Sequence, residues 1–344
     1  MTDYKIGWDI GGAHVKMAVI YHQKILATHQ HPCPLWQGLS ELENAVHALI
    51  QQLPVDKPHR HAITMTGELV DLFENRHDGV AQIINTIQHL LSASSLHIFC
   101  GAEGLLPIFD VTINHYDAIA SANWLASSTL AAKKVHNGLF VDIGSTTTDI
   151  LLFEKGVVKA QGYSDYARLT SQELVYTGIV RTAVMAVVHN VLDNMHPVSV
   201  MAEYFATMAD VYRLTGELCD SHDQTPTADG ADKSIEASAR RLSRMIGADF
   251  SSAELPRWKE VAKHIRHAQQ VRIQESCALH LARHSSRQAL PFIGAGIGRF
   301  LVNDIATTLN CPYIDFSTLF ESDLNQSFHP ADCAPAVAVA ILLN

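Results

Sequence analysis

Three short runs open the chain, 4-YKIGWDI-10, 15-VKMAVIY-21 and 24-KILATHQ-30, mostly apolar and joined by bends. They predict a β-meander. At 39-LSELENAVHALIQQL-53 the period changes, and Leu42, Val46, Leu49, Ile50 and Leu53 recur at helical spacing. Residues 61-HAITMTGEL-69 read as a strand entering a loop, 79-GVAQIINTIQHLLSA-93 as a second amphipathic helix, and 96-LHIFCG-101 as a strand. Residues 117–135 read as a small-residue helix with Asp117 as its N-cap.

The opening pattern then restarts. Residues 139-LFVDIG-144, 148-TDILLFEKG-156 and 157-VVKAQGYS-164 predict a second meander, with Asp142 lying 133 positions after Asp9. A long helical region is expected from about Gln172 to Met195 and again from Val198 to Thr215. The polar stretch 219-CDSHDQTPTADGADK-233 reads as an exposed, mobile loop. Helices continue to about Ser286, then 290-LPFIGAG-296 predicts a buried strand entering a glycine-rich turn. Residues 299–310 predict a helix, 312–316 a strand and 334–343 a closing helix. The alternation makes the fold class α/β, in two halves that each open on a glycine-bearing hairpin.

Those two hairpins carry the candidate chemistry. Asp9-Ile10-Gly11-Gly12 aligns with Asp142-Ile143-Gly144-Ser145. Glycine or a small residue at the bend lets backbone approach a bulky anion, and successive amides form a concave nest. The expected phosphate-binding set is Gly11, Gly12 and Ala13, then Gly144, Ser145, Thr146 and Thr147, with Gly294 and Gly296 from the turn 294-GAGIG-298. Thr148 adds a further hydroxyl. Lys16 and His14 supply positive charge or donors, and Lys16, Asp142 and His14 are the catalytic candidates. Asp9 and Asp142 are the expected metal ligands, holding a hydrated Mg²⁺ that bridges phosphate oxygens. A turn or cap role would account for either aspartate alone, and a solvated strand start would account for Lys16. It is the repetition that points to phosphate.

Composition narrows the partners. The chain has 344 residues, enough for two cores, and a net charge of −10 without a Lys/Arg-rich run, which argues against nucleic acid or an anionic membrane. The charged N-terminus and a longest apolar run of ten residues, 334–343, predict neither a signal peptide nor a membrane span and suggest the cytoplasm. Six scattered cysteines without a CxxC pair suggest neither zinc nor disulfides. Twenty histidines include His280 and His284 at helical spacing, read here as solvated surface residues.

The paired loops and the 294–298 turn resemble the phosphate cleft of the actin / sugar kinase / heat-shock chaperone superfamily. The resemblance implies a two-domain actin-like (ribonuclease H-like) ATPase fold with a central cleft. Residues 1–136 would form the first domain with phosphate loop 9–16. Residues 137–344 would form the second, with phosphate loop 142–149 and a helical insertion at about 170–286. The turn GAGIGRFL is short for an adenosine site, so phosphate is better supported than ATP.

IGWDIGGAHVK, MTGELVD, VDIGSTTTDI, YTGIVRT and EYFATMADVYRLTG further resemble the hydantoinase A/oxoprolinase-related proteins of tetrahydromethanopterin-linked one-carbon metabolism. Bacterial methylotrophs carry related proteins. The resemblance implies a transferase of methanofuran biosynthesis. It would join a furan-2-ylmethyl diphosphate to the phenol oxygen of γ-glutamyltyramine and release diphosphate. The implied partners are this small-molecule diphosphate and the phenolic amine acceptor; a homodimer is a possible further partner. His14, Glu68 and Asp149 are candidates for the base, and Arg181 for an acceptor carboxylate or phosphate, with a surface salt bridge as its alternative. Asp210 reads as a core carboxylate or a cleft residue, and Asn114 and Asn123 as packing. An ATP-dependent kinase or amide hydrolase of this fold, and a non-enzymatic actin-like nucleotide binder, remain the alternatives.

Overall fold

The computed structural model describes residues 3–91, 95–284, 289–323 and 328–343. The chain builds β1 (Tyr4–Ile10), β2 (His14–Tyr21), β3 (Lys24–Pro32), β4 (His59–Met65), β5 (Leu96–Phe99) and β6 (Leu105–Pro107) into one sheet, in the order β3-β2-β1-β4-β5-β6. It then builds β7 (Gly138–Ile143), β8 (Thr148–Glu154), β9 (Val157–Val158) and β10 (Leu174–Val175). After the separate β11 (Asn190–Asp193) and β12 (His196–Ser199) hairpin come β13 (Phe292–Ala295) and β14 (Tyr313–Asp315). The second sheet runs β10-β8-β7-β13-β14, with β9 also on β8. Each half thus has an antiparallel meander whose first strand pairs in parallel with a later one, β1 with β4 and β7 with β13. The expected α/β architecture is present.

The helices are α1 (Leu39–Ile50), α2 (Arg76–Leu90), α3 (Tyr116–Ile119), α4 (Asn123–Val135), α5 (Asp165–Ser171), α6 (Met208–Thr215), α7 (Ile235–Arg244), α8 (Leu255–Leu281), α9 (Arg299–Thr308) and α10 (Ala334–Leu342). Helices α4 and α10 lie between the sheets. One buried cluster joins Ala126, Leu130, Val337 and Val339 of these helices to Ala18 and Ile20 of the first sheet and Phe140 and Phe153 of the second. Their small residues allow close approach. A Cβ on Gly7 of β1 would lie 1.8 Å from the Ala336 carbonyl oxygen of α10, so this contact requires glycine.

Several expectations change. Residues 172–195 are not helical. Their β-branched residues form β10, a 3-10 turn at Val184–Ala186 and β11, because the segment hydrogen-bonds sideways to other backbone rather than to itself. Asp117 caps nothing: the chain breaks at Ala120–Ala122 into α3 and α4, capped by His115 and Ala122. The stretch 219–233 is tethered, with Asp223 buried against Arg213 at 2.5 Å and Gln224 bonded to Gln30 at 2.9 Å. His280 is buried and bonds the Gln172 carbonyl at 3.0 Å, while His284 pairs with Glu154. The last residues of the expected 79–93 helix, and Ser286, lie outside the described residues. Among the described residues no helix is long and apolar enough to cross a membrane.

His61 of β4 offers a pH test. It is buried, and the Trp8 Nε1–H donates to its Nδ1 at 3.1 Å, which needs a neutral ring. Burial, aided by His59, pushes its pKa down to about 4. The unfolded chain therefore binds a proton that the fold refuses, and this contribution to stability is lost as pH falls from about 6.5 towards 4. In acid titrations followed by denaturant unfolding, His61→Gln is expected to flatten that loss by up to about 3 kcal/mol. Gly7→Ala, by contrast, should cost about 3 kcal/mol at any pH because α10 must move away from β1.

Candidate active site

Antiparallel pairing places Asp9 of β1 opposite Lys16 of β2, and Asp142 of β7 opposite Asp149 of β8. The repeat extends to hydrogen bonds. The Gly11 amide donates to the His14 carbonyl, and the Gly144 amide to the Thr147 carbonyl, each at 2.9 Å. Each loop is also strapped from behind. Thr66 and Gly67 donate to the Ile10 carbonyl, and Ile179 donates to Gly144 while Val180 and Arg181 donate to Ser145. These straps fix both bends before any ligand arrives.

The two loops share one cavity of about 450 Å³. Gly11, Gly12, Ala13, His14, Lys16, Gly144, Ser145, Thr146 and Thr147 all line it, with Asp9, Asp142 and Asp149. The structure therefore brings together most of the residues singled out by sequence. Gly294 and Gly296 stand apart from its wall. A Cβ on Gly294 would strike the Tyr313 ring, and a Cβ on Gly296, at φ +77°, would lie 2.3 Å from Asp142 Oδ1 and from the Ile143 carbonyl oxygen. That turn supports Asp142 from behind. Thr148 is buried and donates to the Thr177 carbonyl, so its hydroxyl is used inside the fold.

Charge in the cavity is tightly arranged. Lys16 is no solvated strand residue: its Nζ donates to the Asp332 carbonyl at 2.7 Å. Burial opposes its charge, but neighbouring acidic groups, Asp9 and Asp142 among them, hold its pKa above the ordinary value. Burial raises the Asp9 carboxyl to about 6, against the pull of Lys16 and of an Asn123 hydrogen bond at 3.4 Å. Burial, then the charge of Asp149, raises Asp142 to about 7. Asp149 is paired at 2.6 Å with Arg168, which is itself buried and lies 4.1 Å from the Trp124 ring centre. Burial still outweighs Arg168 and holds the Asp149 pKa up. His14 supplies no positive charge: burial, then Lys16, push its pKa to about 3, and its Nε2 has no partner among the described residues.

The remaining candidates separate. Glu68 is fully buried behind the wall, where its Oε1 accepts from Ser121 at 2.7 Å, so it cannot reach a substrate. Arg181 is exposed on the cavity rim, with Nη1 3.5 Å from Thr146 Oγ1 and its guanidinium 5.5 Å from the Trp36 ring centre; no carboxylate pairs with it among the described residues. Asp210 is a buried, satisfied carboxylate held by Ser238 and Arg241. Asn123 lines the cavity and donates to Asp9, whereas Asn114 is exposed. Sequence reasoning missed Trp36, Ser121, Asp165 and Arg168, which all line the cavity. None lies in a repeated motif. Asp165 meets Arg76 at 2.5 Å, an ion pair linking α5 to the start of α2.

Mg²⁺ typically takes one or two protein carboxylates and completes its shell with water and phosphate. Asp9 and Asp142 fit that demand: burial keeps both carboxyls above their ordinary pKa values, and Lys16 alone does not balance two charges. No group of three or more His, Cys, Asp or Glu side chains that could hold a metal occurs among the described residues, so the substrate would have to complete the shell.

The hydantoinase/oxoprolinase family model matches residues 60–323. A protein of Methanocaldococcus jannaschii named (4-{4-[2-(gamma-L-glutamylamino)ethyl]phenoxymethyl}furan-2-yl)methanamine synthase is 30% identical over 245 residues, covering 71% of this chain and 72% of that protein. A Methanococcus vannielii protein of the same name is 30% identical over 115 residues, 33% of this chain and 51% of that one. A nucleotide-free acetone carboxylase, described with ATP-dependent acetone carboxylation, superposes with a TM-score of 0.57 at 10% identity, over 99% of this chain and 70% of that one. This last likeness carries the fold alone, an actin-like (ribonuclease H-like) ATPase fold.

Asp142→Asn removes a carboxylate whose ionisation the folded protein disfavours. Without added metal at pH 8 it is expected to raise stability by roughly 1–2 kcal/mol, a gain that shrinks as pH falls towards 4 because the parent side chain then takes up its proton. Thermal unfolding across this pH range checks it. The same variant should lose activity, the usual conflict between stability and a charged active site.

Proposed function

The chain belongs to the hydantoinase/oxoprolinase family, and from that premise we propose that it is a transferase of methanofuran-type cofactor biosynthesis, joining a furanylmethyl diphosphate to a phenol oxygen. The observation that carries this reading is the pair of strapped loops facing one cavity across Asp9, Lys16 and Asp142. The relatives' name supplies the substrate class: an aryl ether of γ-glutamyltyramine with an aminomethylfuran. It also adjusts the donor. The ether methylene stands on ring carbon 4 and the amine arm on carbon 2, so the reacting carbon differs from the furan-2-ylmethyl group expected from sequence.

In the proposed reaction the carbon–oxygen bond to diphosphate breaks and diphosphate leaves with the electron pair. The methylene cation is shared with the ring carbon beside the furan oxygen. The phenol oxygen then forms the new bond and loses its proton. Loop amides other than those of Gly11 and Gly144, with the Thr146 and Thr147 hydroxyls, would receive the growing negative charge, and such preorganised donors act strongly where water is excluded. Lys16 adds a fixed ammonium. His14, neutral and with its free ring nitrogen buried, shapes the first loop rather than supplying charge. A Mg²⁺ held by Asp9 and Asp142 would neutralise the diphosphate when bound. Of the three base candidates, Asp149 alone combines a place on the cavity wall with a raised carboxyl pKa, and we assign it the phenol proton. Residues 1–136 and 137–344 are read as the two halves around this cleft.

The turn 294–298, against which ATP use would place a base, packs on Ile143 and Ile179 and is not part of the cavity wall.

The test is incubation with an aminomethylfuranylmethyl diphosphate and γ-glutamyltyramine, following diphosphate release and ether mass together. Equal amounts of both are expected. Lys16→Met should reduce kcat by about 10²–10³-fold, the usual loss for a preorganised group at developing charge. Asp149→Asn should lower kcat and change the acid side of the pH–rate profile, where the rate rises as the base ionises, while the rise contributed by Asp9 and Asp142 stays. Phosphoryl transfer from ATP without ether formation would overturn the reading.

A further inference from the structure

A second cavity, of about 260 Å³, opens beside the first and shares Trp36 and Arg181 with it. It lies under the 219–233 stretch, which the reaction scheme leaves without a role. That stretch is pinned across the molecule: His222 Nε2 lies 3.1 Å from Asp332 Oδ2, Gln224 accepts from Gln30 on β3, and Lys233 donates back to the Asp223 carbonyl. It therefore forms a fixed wall.

The lining has two characters. Trp36 and Tyr204 are large aromatics left 41% and 51% exposed, although each lines a concave surface. The floor is charged and nearly dry. Asp210 and Asp223 stand against Arg213, and Arg181 closes the side shared with the main cavity. Arg241 also pairs with Asp210, and Lys233 with Asp223, so both acids are matched within the floor and the Arg181 guanidinium is left over. Arg213 is 8% exposed; it spends Nη1 on Ser238 at 3.0 Å and Nη2 on Asp223 at 2.5 Å, and its Nε has no partner among the described residues. A floor whose acids are matched and whose guanidinium groups are in surplus, beneath aromatic walls, suits a single carboxylate carried on an amino acid attached to an aromatic ring.

The geometry points to this side cavity as the acceptor subsite: the phenyl ring of the acceptor lies between Trp36 and Tyr204, its α-amino-acid end meets the charged floor, and its hydroxyl is presented to the main cavity past Arg181. The identity of the acceptor rests on the transferase reading above. The position of Arg181, 3.5 Å from Thr146 on the second loop, joins the two sites. The class of ligand is thus a γ-linked amino acid amide of a phenolic amine, and free tyramine, lacking the carboxylate, should be a poorer fit.

Calorimetric titration of the full chain with γ-glutamyltyramine, and separately with tyramine, tests this. The parent is expected to bind γ-glutamyltyramine at least about tenfold more tightly than tyramine. Tyr204→Ala removes an exposed ring, and Thr227→Trp fills the cavity from the pinned wall. Each should weaken γ-glutamyltyramine at least about tenfold, while Mg²⁺-diphosphate titrated into the same variants binds as in the parent, which shows that the fold and main cavity are intact. Equal affinity for the two amines, or unchanged γ-glutamyltyramine affinity in both variants, would overturn the subsite. Ether formation is scored separately: acceptor binding that is lost in the variants, in a protein that makes no ether, would leave the subsite standing and remove the transferase reading.

Discussion

One ammonium group sets the terms for the cleft. Lys16 is held by the Asp332 carbonyl and lies within the electrostatic reach of Asp9 and Asp142, one from each sheet. Two carboxylates so placed repel each other and resist ionisation, and removing one member of such a buried charge set is costly because the others lose compensation. The lysine makes their approach tolerable. It does not neutralise it, and the remaining negative charge is what a divalent cation would answer. The straps at 66–67 and 179–181 hold the backbone of the two loops that carry these groups.

The two hairpins share a scaffold but not a task. Seven positions after its aspartate, the first carries Lys16 and the second carries Asp149. The equivalent strand position thus offers a cation on one side of the cavity and an acid on the other. In the proposed reaction the first serves the leaving group and the second the incoming phenol. A bimolecular displacement needs unlike functions on its two flanks, and one exchanged side chain in a repeated hairpin supplies them.

The repeat is why so much of the site was legible. DIGG and DIGS announce themselves because backbone that approaches an anion must be small, and small residues are visible in a sequence. The β-meanders, α1 and α10 were legible for the same kind of reason, their periodicity being local. Arg168 was not, because its meaning comes from Asp149 and Trp124, which reach it only through the fold. Trp36 and Arg181 acquire theirs from facing each other. Residues 172–195 misled in the opposite sense: Val, Ile, Thr and Ala in close succession satisfy helical spacing, but tertiary hydrogen bonds to the second loop claim the amides that a helix would use. Glu68 sits in a conspicuous motif, yet its carboxylate points into the interior.

The passage of α10 between the sheets also governs how the molecule can come into being. Gly7 and Ala336 touch across 329 positions of chain, 336 minus 7. The first meander can form early, since its pairings are local. Its inner face stays uncovered until residues 334–342 have been synthesised. Long-range closure of this kind slows folding and leaves apolar strand surface exposed in the interval. The cleft is therefore among the last features to form, and a chain shortened before residue 334 would lose its active site through the lobe farthest away in sequence.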